Sequence, residues 1–404
     1  MIQSSGYDKI FQKMRKILKA RMENLWDCTD EEVLKTIDDL LLEESRKEYL
    51  TIERRIGLRR ELFYAIRKMD VLEELLQDDS ITEIMVNGWE HIFIEQEGRL
   101  FPWERHFTSP EKLEDVVQQI AARCNRVVNT LHPIVDARLD SGERVNAVIA
   151  PAALNGPILT IRKFPKDPIT MDKLIELGSI TQEAADFLKK LVTAGYTILI
   201  GGGTGSGKTT FLNALSGYIP ADERLITIED NAELQIQGIE NLVRLECRQA
   251  NAEQAQEITI GDLLKTSLRM RPSRIIVGEV RAAEAAELLQ AVNVGHDGSI
   301  STIHANSCTD MAVRLETMAL MGAVLPESVI RRQIVSGFDI FIYLGRMRDK
   351  SRKLLEIAEI DRIEEGKIMM NPVFVRKKAL ERTGKLIHRE KLEKAGIECE
   401  EEST

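Results

Sequence analysis

Four short stretches of this chain carry residues whose types and spacing suit phosphate chemistry. The first is Gly202-Gly203-Thr204-Gly205-Ser206-Gly207-Lys208-Thr209-Thr210, which contains the spacing Gly-x-x-x-x-Gly-Lys-Thr. It lies between an apolar run, "TILI", and a helix-forming run, "TTFLNALS", the strand–loop–helix context in which such a loop cradles phosphates. Glycines let the backbone curl so that its N–H groups converge, and the helix N-terminus adds a favourable field. Lys208 can bridge the β- and γ-phosphates of ATP or GTP, and Thr209 offers a hydroxyl to Mg2+. The competing reading is an ordinary glycine-rich turn, which needs neither the lysine nor the threonine.

Three further apolar runs end in acidic or imidazole groups. Leu225–Ile228 leads into Glu229-Asp230 and then Glu233; Arg274–Val277 leads into Gly278-Glu279; Ile300–Ile303 leads into His304. Ligands of open α/β sheets bind beyond the carboxyl ends of the strands, so these groups are expected to converge on the phosphate loop. A solvated loop can hold any one acid; three strands ending this way are harder to ascribe to chance. The acid after Val277 is a glutamate where a nucleotide hydrolase more often has aspartate.

The elements that must position these residues fall into blocks. Residues 1–77 read as helices: Ile10, Phe11, Met14, Ile17, Leu18, Met22 and Leu25 recur at helical spacing, Thr29 and Glu32 suggest a capping box, and "ELFYAIRKMDVLEELL" supplies a third helix. Residues 78–165 read as a small α+β domain, with strands in "ITEIMVNG", "HIFIEQEG", "RLFPWE", "PIVDARL", "RVNAVIA" and "ILTIRKF" and one helix capped by Ser109-Pro110. Residues 166–180, with "PKDPIT", form a linker. Over 181–375 strands alternate with helices, the pattern of a mostly parallel sheet covered on both faces, and "LLEIAEIDRIEEGKIMMNPVFV" forms a small sheet addition. Residues 376–404 read as a charged, mobile tail.

Composition narrows the classes. The 404 residues carry 55 Lys+Arg against 65 Asp+Glu, a net charge of −10, which weighs against a nucleic-acid partner. Cys28, Cys124, Cys247, Cys308 and Cys399 are scattered without metal-binding spacing and read as free thiols. No apolar run reaches the roughly 18–20 residues needed to span a bilayer. The expectation is a cytoplasmic protein that other proteins hold at a membrane.

"ITIEDNAELQ", "RIIVGEVR" and "GHDGSISTIHAN" resemble the Asp box, the glutamate-bearing Walker B strand and the His box of the type II/IV secretion ATPase superfamily. "RLDSGERVNAV", "LTIRKF", "RLECR" and "LRMRPSRIIVGEVR" are similar to its Tad/Flp pilus-assembly, CpaF-like branch. The likeness runs from about Ser80 to Tyr343. It implies an α/β fold in which a RecA-like P-loop ATPase domain follows a small α+β, PAS-like domain and an N-terminal helical segment. It further implies a homo-oligomeric, hexameric ring that binds ATP and Mg2+ between the two domains and drives integral inner-membrane platform proteins. Two positions depart from the family pattern: Arg281-Ala282-Ala283-Glu284 lacks a glycine after the first arginine, and residues 251–256 lack a glycine-bearing loop.

Roles carried over by this resemblance are as follows. Glu279 activates the attacking water, with Glu229 the other candidate base. Thr209, Glu229 and Asp230 serve Mg2+ directly or through its waters. His304, with His296, senses the terminal phosphate. Arg144 and Arg162 neutralise charge on the transferred group, Arg138 contacts the nucleotide, and Arg244, Arg248, Arg269 and Arg271 are further candidates. A pilus-assembly or secretion motor is the leading expectation; a RecA-like nucleic-acid translocase is the alternative, and a nucleotide-gated scaffold a third.

Overall fold

The computed structural model describes residues 4–21, 29–47, 49–67, 69–96, 98–164, 168–248 and 257–398. Two compact units divide the chain, residues 1–166 and 167–404. The first begins with α1 (Ser4–Arg21), α2 (Asp30–Ser45) and α3 (Ile52–Arg67), which bury Met14, Leu18, Ile37, Leu41 and Leu62 in one cluster. The capping box forms: Thr29 N–H donates to Glu32 at 2.7 Å, and Glu32 N–H donates to the Thr29 hydroxyl at 3.3 Å. The single helix expected over 61–76 is broken. Asp70 adopts φ 56°, a left-handed conformation no helix continues through, so α3 starts earlier and a short α4 (Leu72–Gln77) follows.

Strands β1 (Ile81–Asn87), β2 (Ile92–Gln96) and β3 (Arg99–Trp103), helix α5 (Pro110–Arg123), and strands β4 (Ile134–Arg138), β5 (Arg144–Val148) and β6 (Ile158–Arg162) complete this unit. The strands form one antiparallel sheet of order β3-β2-β1-β6-β5-β4. Pro102, which lacks an amide donor, sits on the edge strand β3, where it is tolerated. Alternate residues such as Ile84, Val86, Leu159 and Ile161 face a core shared with Val116 and Ile120 of α5. Together, sheet and helix make an α+β arrangement.

The second unit runs α6 (Met171–Glu176), α7 (Gln182–Thr193), β7 (Ile198–Gly202), α8 (Lys208–Ser216), β8 (Leu225–Glu229), β9 (Leu242–Glu246), α9 (Ile260–Ser267) and β10 (Arg274–Val280). It continues with α10 (Ala285–Asn293), β11 (Ile300–Ile303), α11 (Cys308–Gly322), α12 (Glu327–Gly337), β12 (Ile340–Arg346), β13 (Arg352–Glu364), β14 (Lys367–Arg376), β15 (Leu380–Arg382) and α13 (Glu390–Lys394). Nine strands make one sheet, in the order β15-β14-β13-β12-β7-β11-β10-β8-β9. The six from β12 to β9 are parallel and β13–β15 extend them antiparallel. β7 is buried on both faces: Ile198 and Ile200 enter one core, Leu199 the other. A continuous apolar run is what a central parallel strand requires. The arrangement is RecA-like.

Two segments differ from their sequence reading. Within the linker, α6 buries Met171 and Leu174 in the core of the second unit. Within the tail, β15 and α13 form, and Leu380, Leu386 and Leu392 are buried. That segment is tied down by Glu359, itself 1% exposed, whose carboxylate accepts the Ile387 and His388 amides at 2.8 and 2.7 Å and the Asn371 side-chain amide at 3.0 Å. The expectations for Met22, Leu25, Cys28, residues 166–167, the loop 251–256 and residues 399–404, Cys399 among them, lie outside the described residues.

Candidate nucleotide site

The phosphate loop leaves the carboxyl end of β7 and opens α8. Gly205 and Gly207 take φ 71° and 92°, values that favour glycine. A side chain on Gly202 would start 2.6 Å from the Leu344 carbonyl, so β12 can pack there only against glycine. The Lys208 ammonium is largely buried. It donates to the Gly202 and Gly203 carbonyls at 3.1 and 3.4 Å and lies 3.4 Å from Glu279 Oε1 and 3.3 Å from His304 Nδ1. Burial lowers its pKa, against the opposing pull of Glu279. Thr209 and Thr210 occupy the first turn of α8 and are half-buried; the Ser206 hydroxyl is buried without a partner among the described residues.

Glu279 is where the structure refines the sequence reading. Its strand does not stop before it: β10 continues to Val280. Against β11, Val277 pairs with Ser301 and Val280 with Ile303, so β10 has one residue more over that interval. This is a bulge, a device that re-aims side chains. The Gly278 carbonyl accepts the Thr302 hydroxyl at 2.7 Å, and a side chain on Gly278 would start 3.1 Å from Glu229 Cγ. Glu279 Oε1 lies 3.0 Å from His304 Nε2, and its Oε2 accepts Arg281 Nε–H at 2.7 Å. Burial pushes the Glu279 carboxyl up, but the Arg281 bond and then the charge of Lys208 outweigh it and hold the pKa below the ordinary range. For His304 burial dominates and lowers the pKa despite Glu279. A neutral imidazole donating through Nε2–H and facing Lys208 with the Nδ1 lone pair fits both distances.

Glu229 ends β8 and is 2% exposed. Its Oε2 accepts the Glu233 and Leu234 amides at 2.7 and 2.8 Å, which shapes the loop after β8, while Oε1 is buried with no hydrogen-bond partner among the described residues. Burial raises its pKa to about 7, against those two amides and the charge of Arg244. Asp230 is joined to the cluster through Arg281, 3.4 Å away.

The other candidates divide. His296 precedes β11, whose opposite end carries His304; Asp297 abuts Gly195, before β7. His296 therefore lies at the amino end of the strands, away from the phosphate loop of its own chain. Arg269 and Arg271 precede β10 at that same end, Arg248 pairs with Ile258 beyond β9, and Arg244 donates to the Leu234 carbonyl at 2.9 Å. In the α+β domain Arg138 is paired with Arg144 and Arg144 with Arg162. Residues opposite each other share a sheet face, so three guanidinium groups form a row that ends in Glu83, opposite Arg162 and 3.8 Å from it. Arg352 and Arg346, which no sequence motif flagged, stand against the loop. Arg352 Nε–H donates to the Gly205 carbonyl at 3.0 Å. Their one signal is the basic run "RMRDKSRK" across a hairpin turn.

A parallel sheet with a phosphate loop at its central strand, and a carboxylate, an imidazole and an ammonium meeting beside it, defines a RecA-like P-loop ATPase. Residues 66–337 match the family model for type II/IV secretion system proteins, and the chain belongs to that family. It is 35% identical to the type IV secretion system protein PtlH of Bordetella pertussis, over 69% of this chain and 89% of that one. It is 32% identical to the conjugal transfer protein TrbB of Rhizobium radiobacter, over 72% and 87%. The crystal structure of the ATPase DotB of Legionella pneumophila shares the fold, with a TM-score of 0.52 at 21% identity over 74% of this chain and 81% of that one. No helix among the described residues is long and apolar enough to cross a membrane.

Proposed function

We propose that this chain is the motor of a Tad/Flp-type pilus-assembly or secretion machine. It works as a hexameric ring at the inner face of the cytoplasmic membrane and passes the work of ATP hydrolysis to integral-membrane platform proteins. The observation that carries the chemistry is Glu279, a carboxylate held ionised between Arg281, His304 and Lys208. An ionised carboxylate beside the phosphate-binding lysine is what a general base for water needs. Lys208 turns from Glu279 toward the phosphates when ATP binds; His304 keeps Glu279 oriented; Arg281 anchors its other oxygen. Glu229, fixed by backbone amides, shapes the loop after β8 and is the weaker candidate for the base.

Mg2+ fits this donor set. Thr209, Asp230 and the unpartnered Oε1 of Glu229 are oxygen ligands of the kind the ion accepts directly or through its waters. When bound, it neutralises charge on the β- and γ-phosphates. Arg144 and Arg162 are opposite each other in the sheet of the first unit; we assign them to charge on the transferred phosphoryl group, which needs positive groups to meet it.

The name of TrbB keeps a second reading open, a motor that acts on nucleic acid. Phosphate release by the purified full-length chain separates the two. The secretion reading expects stimulation by vesicles from the host's inner membrane and none by single- or double-stranded DNA. Stimulation by DNA alone would overturn it in favour of the second.

A further inference from the structure

β11 and β12 flank β7 on opposite sides. Glu279 and His304 therefore approach the phosphate loop from one side, and the turn between β12 and β13 approaches it from the other. Arg346 and Arg352 are cross-strand partners on that hairpin. Besides its bond to the Gly205 carbonyl, Arg352 places Cδ 3.3 Å from where a side chain on Gly207 would begin. Arg346 Nη1 lies 3.6 Å from the corresponding position on Gly205, and its guanidinium has no hydrogen-bond or ion-pair partner among the described residues.

The geometry has two consequences. A trans peptide is planar, with its C=O and N–H pointing in opposite directions. Pinning the Gly205 carbonyl outward on Arg352 aims the Ser206 N–H inward, where it donates to the Gly203 carbonyl at 3.3 Å, the same oxygen that receives Lys208. Arg352 thus sets the direction of an amide inside the phosphate loop. Arg346 and Arg352, directly opposite each other, repel unless an anion lies between them.

We infer that the β12–β13 hairpin is a second wall of the nucleotide site. Arg352 is a positioning residue that aims the loop amides, and Arg346 contacts the non-reacting phosphates of the nucleotide. The inference rests on the ATPase reading above and adds to it. Because the hairpin faces away from Glu279 and His304, its contacts are the same for ATP, ADP and the transition state. Interactions of that kind change affinity and KM rather than kcat.

The test uses the full-length chain, with fluorescent ATP and ADP binding and steady-state turnover. Arg352→Ala and Arg346→Ala should each weaken both nucleotides about tenfold, as expected for losing one charge-assisted hydrogen bond. KM should rise in parallel while kcat falls no more than about twofold. Arg352→Lys, which restores one donor, should recover affinity to within about threefold. Arg348→Ala, at the hairpin tip, removes the same charge and should change neither nucleotide's affinity. Arg346 holds nothing in the fold, so its variant remains informative if Arg352→Ala unfolds. Wild-type affinities in Arg346→Ala or in a folded Arg352→Ala, or a fall in kcat without weaker binding, would overturn the inference and leave the ATPase reading standing. A wild-type chain that binds neither nucleotide would overturn both.

Discussion

Replacing Glu229 with glutamine should make the stability of the second unit less sensitive to pH. The wild-type carboxyl titrates near 7 in the folded protein because it is buried, against 4.5 for an ordinary glutamate. Between those values the unfolded chain has given up its proton and the folded one has not. The unfolded state then binds fewer protons, so stability falls as pH rises, and the loss is complete above about pH 7. A displacement from 4.5 to about 7 corresponds to about 3 kcal/mol in full, and linkage gives about 2.5 kcal/mol of it between pH 5 and pH 8. Glutamine does not titrate. Its amide brings a constant cost of about 1–3 kcal/mol if left unbonded, but that cost does not vary with pH. The quantity to measure is therefore the difference between the two proteins as a function of pH. Urea unfolding followed by far-UV circular dichroism, without nucleotide or metal, supplies it. All three tryptophans, Trp26, Trp89 and Trp103, precede residue 167, so their fluorescence tracks the first unit separately. The variant should gain about 2.5 kcal/mol on wild type from pH 5 to pH 8. A difference that stays flat across this range would show that Glu229 is ionised throughout, and the account of it as a largely desolvated carboxyl would be wrong.

Three other perturbations follow from the same geometry. Glu223→Ala strips Arg274, which is 3% exposed and bonded through Nε and Nη2 at 2.6 Å to both Glu223 oxygens, and should cost about 3–5 kcal/mol in urea unfolding; a loss under about 1 kcal/mol would contradict it. Arg281→Ala removes the bond that most lowers the Glu279 carboxyl and lets burial prevail, so the acidic limb of the kcat/KM profile should move to higher pH; an unmoved limb would mean that Glu279 does not control it. Gly278→Ala forces Glu229 and the bulge apart by a few tenths of an ångström and should slow turnover about tenfold or more, since catalysis is sensitive to such displacements. Wild-type turnover there would detach the bulge from catalysis.

The phosphate loop and the strands that feed it were legible because each rests on local chemistry: a glycine pattern, a short apolar run, an acid or imidazole at its end. What escaped the sequence depends on contacts between distant residues. The bulge at Gly278-Glu279 appears only when β10 is registered against β11. Arg352 meets Gly205 across 147 positions, and in sequence it looks like any solvated arginine of a turn. The break at Asp70 hides inside an amphipathic pattern that continues on both sides. In the C-terminal segment, Leu380, Leu386 and Leu392 are outnumbered by charges, so their burial leaves little trace in composition. The place of His296 in the sheet was legible as well. This residue and His304 flank one strand, and at about 3.3 Å per residue the four residues of β11 alone keep the two histidines at opposite ends of the sheet.

The central claim is that Glu279 activates water for attack on ATP. Phosphate release at saturating ATP and Mg2+, by wild type and by Glu279→Gln side by side, tests it most directly. Glu279→Gln should bind ATP and turn it over about 10²–10⁴-fold more slowly than wild type. Turnover within about threefold of wild type would contradict it.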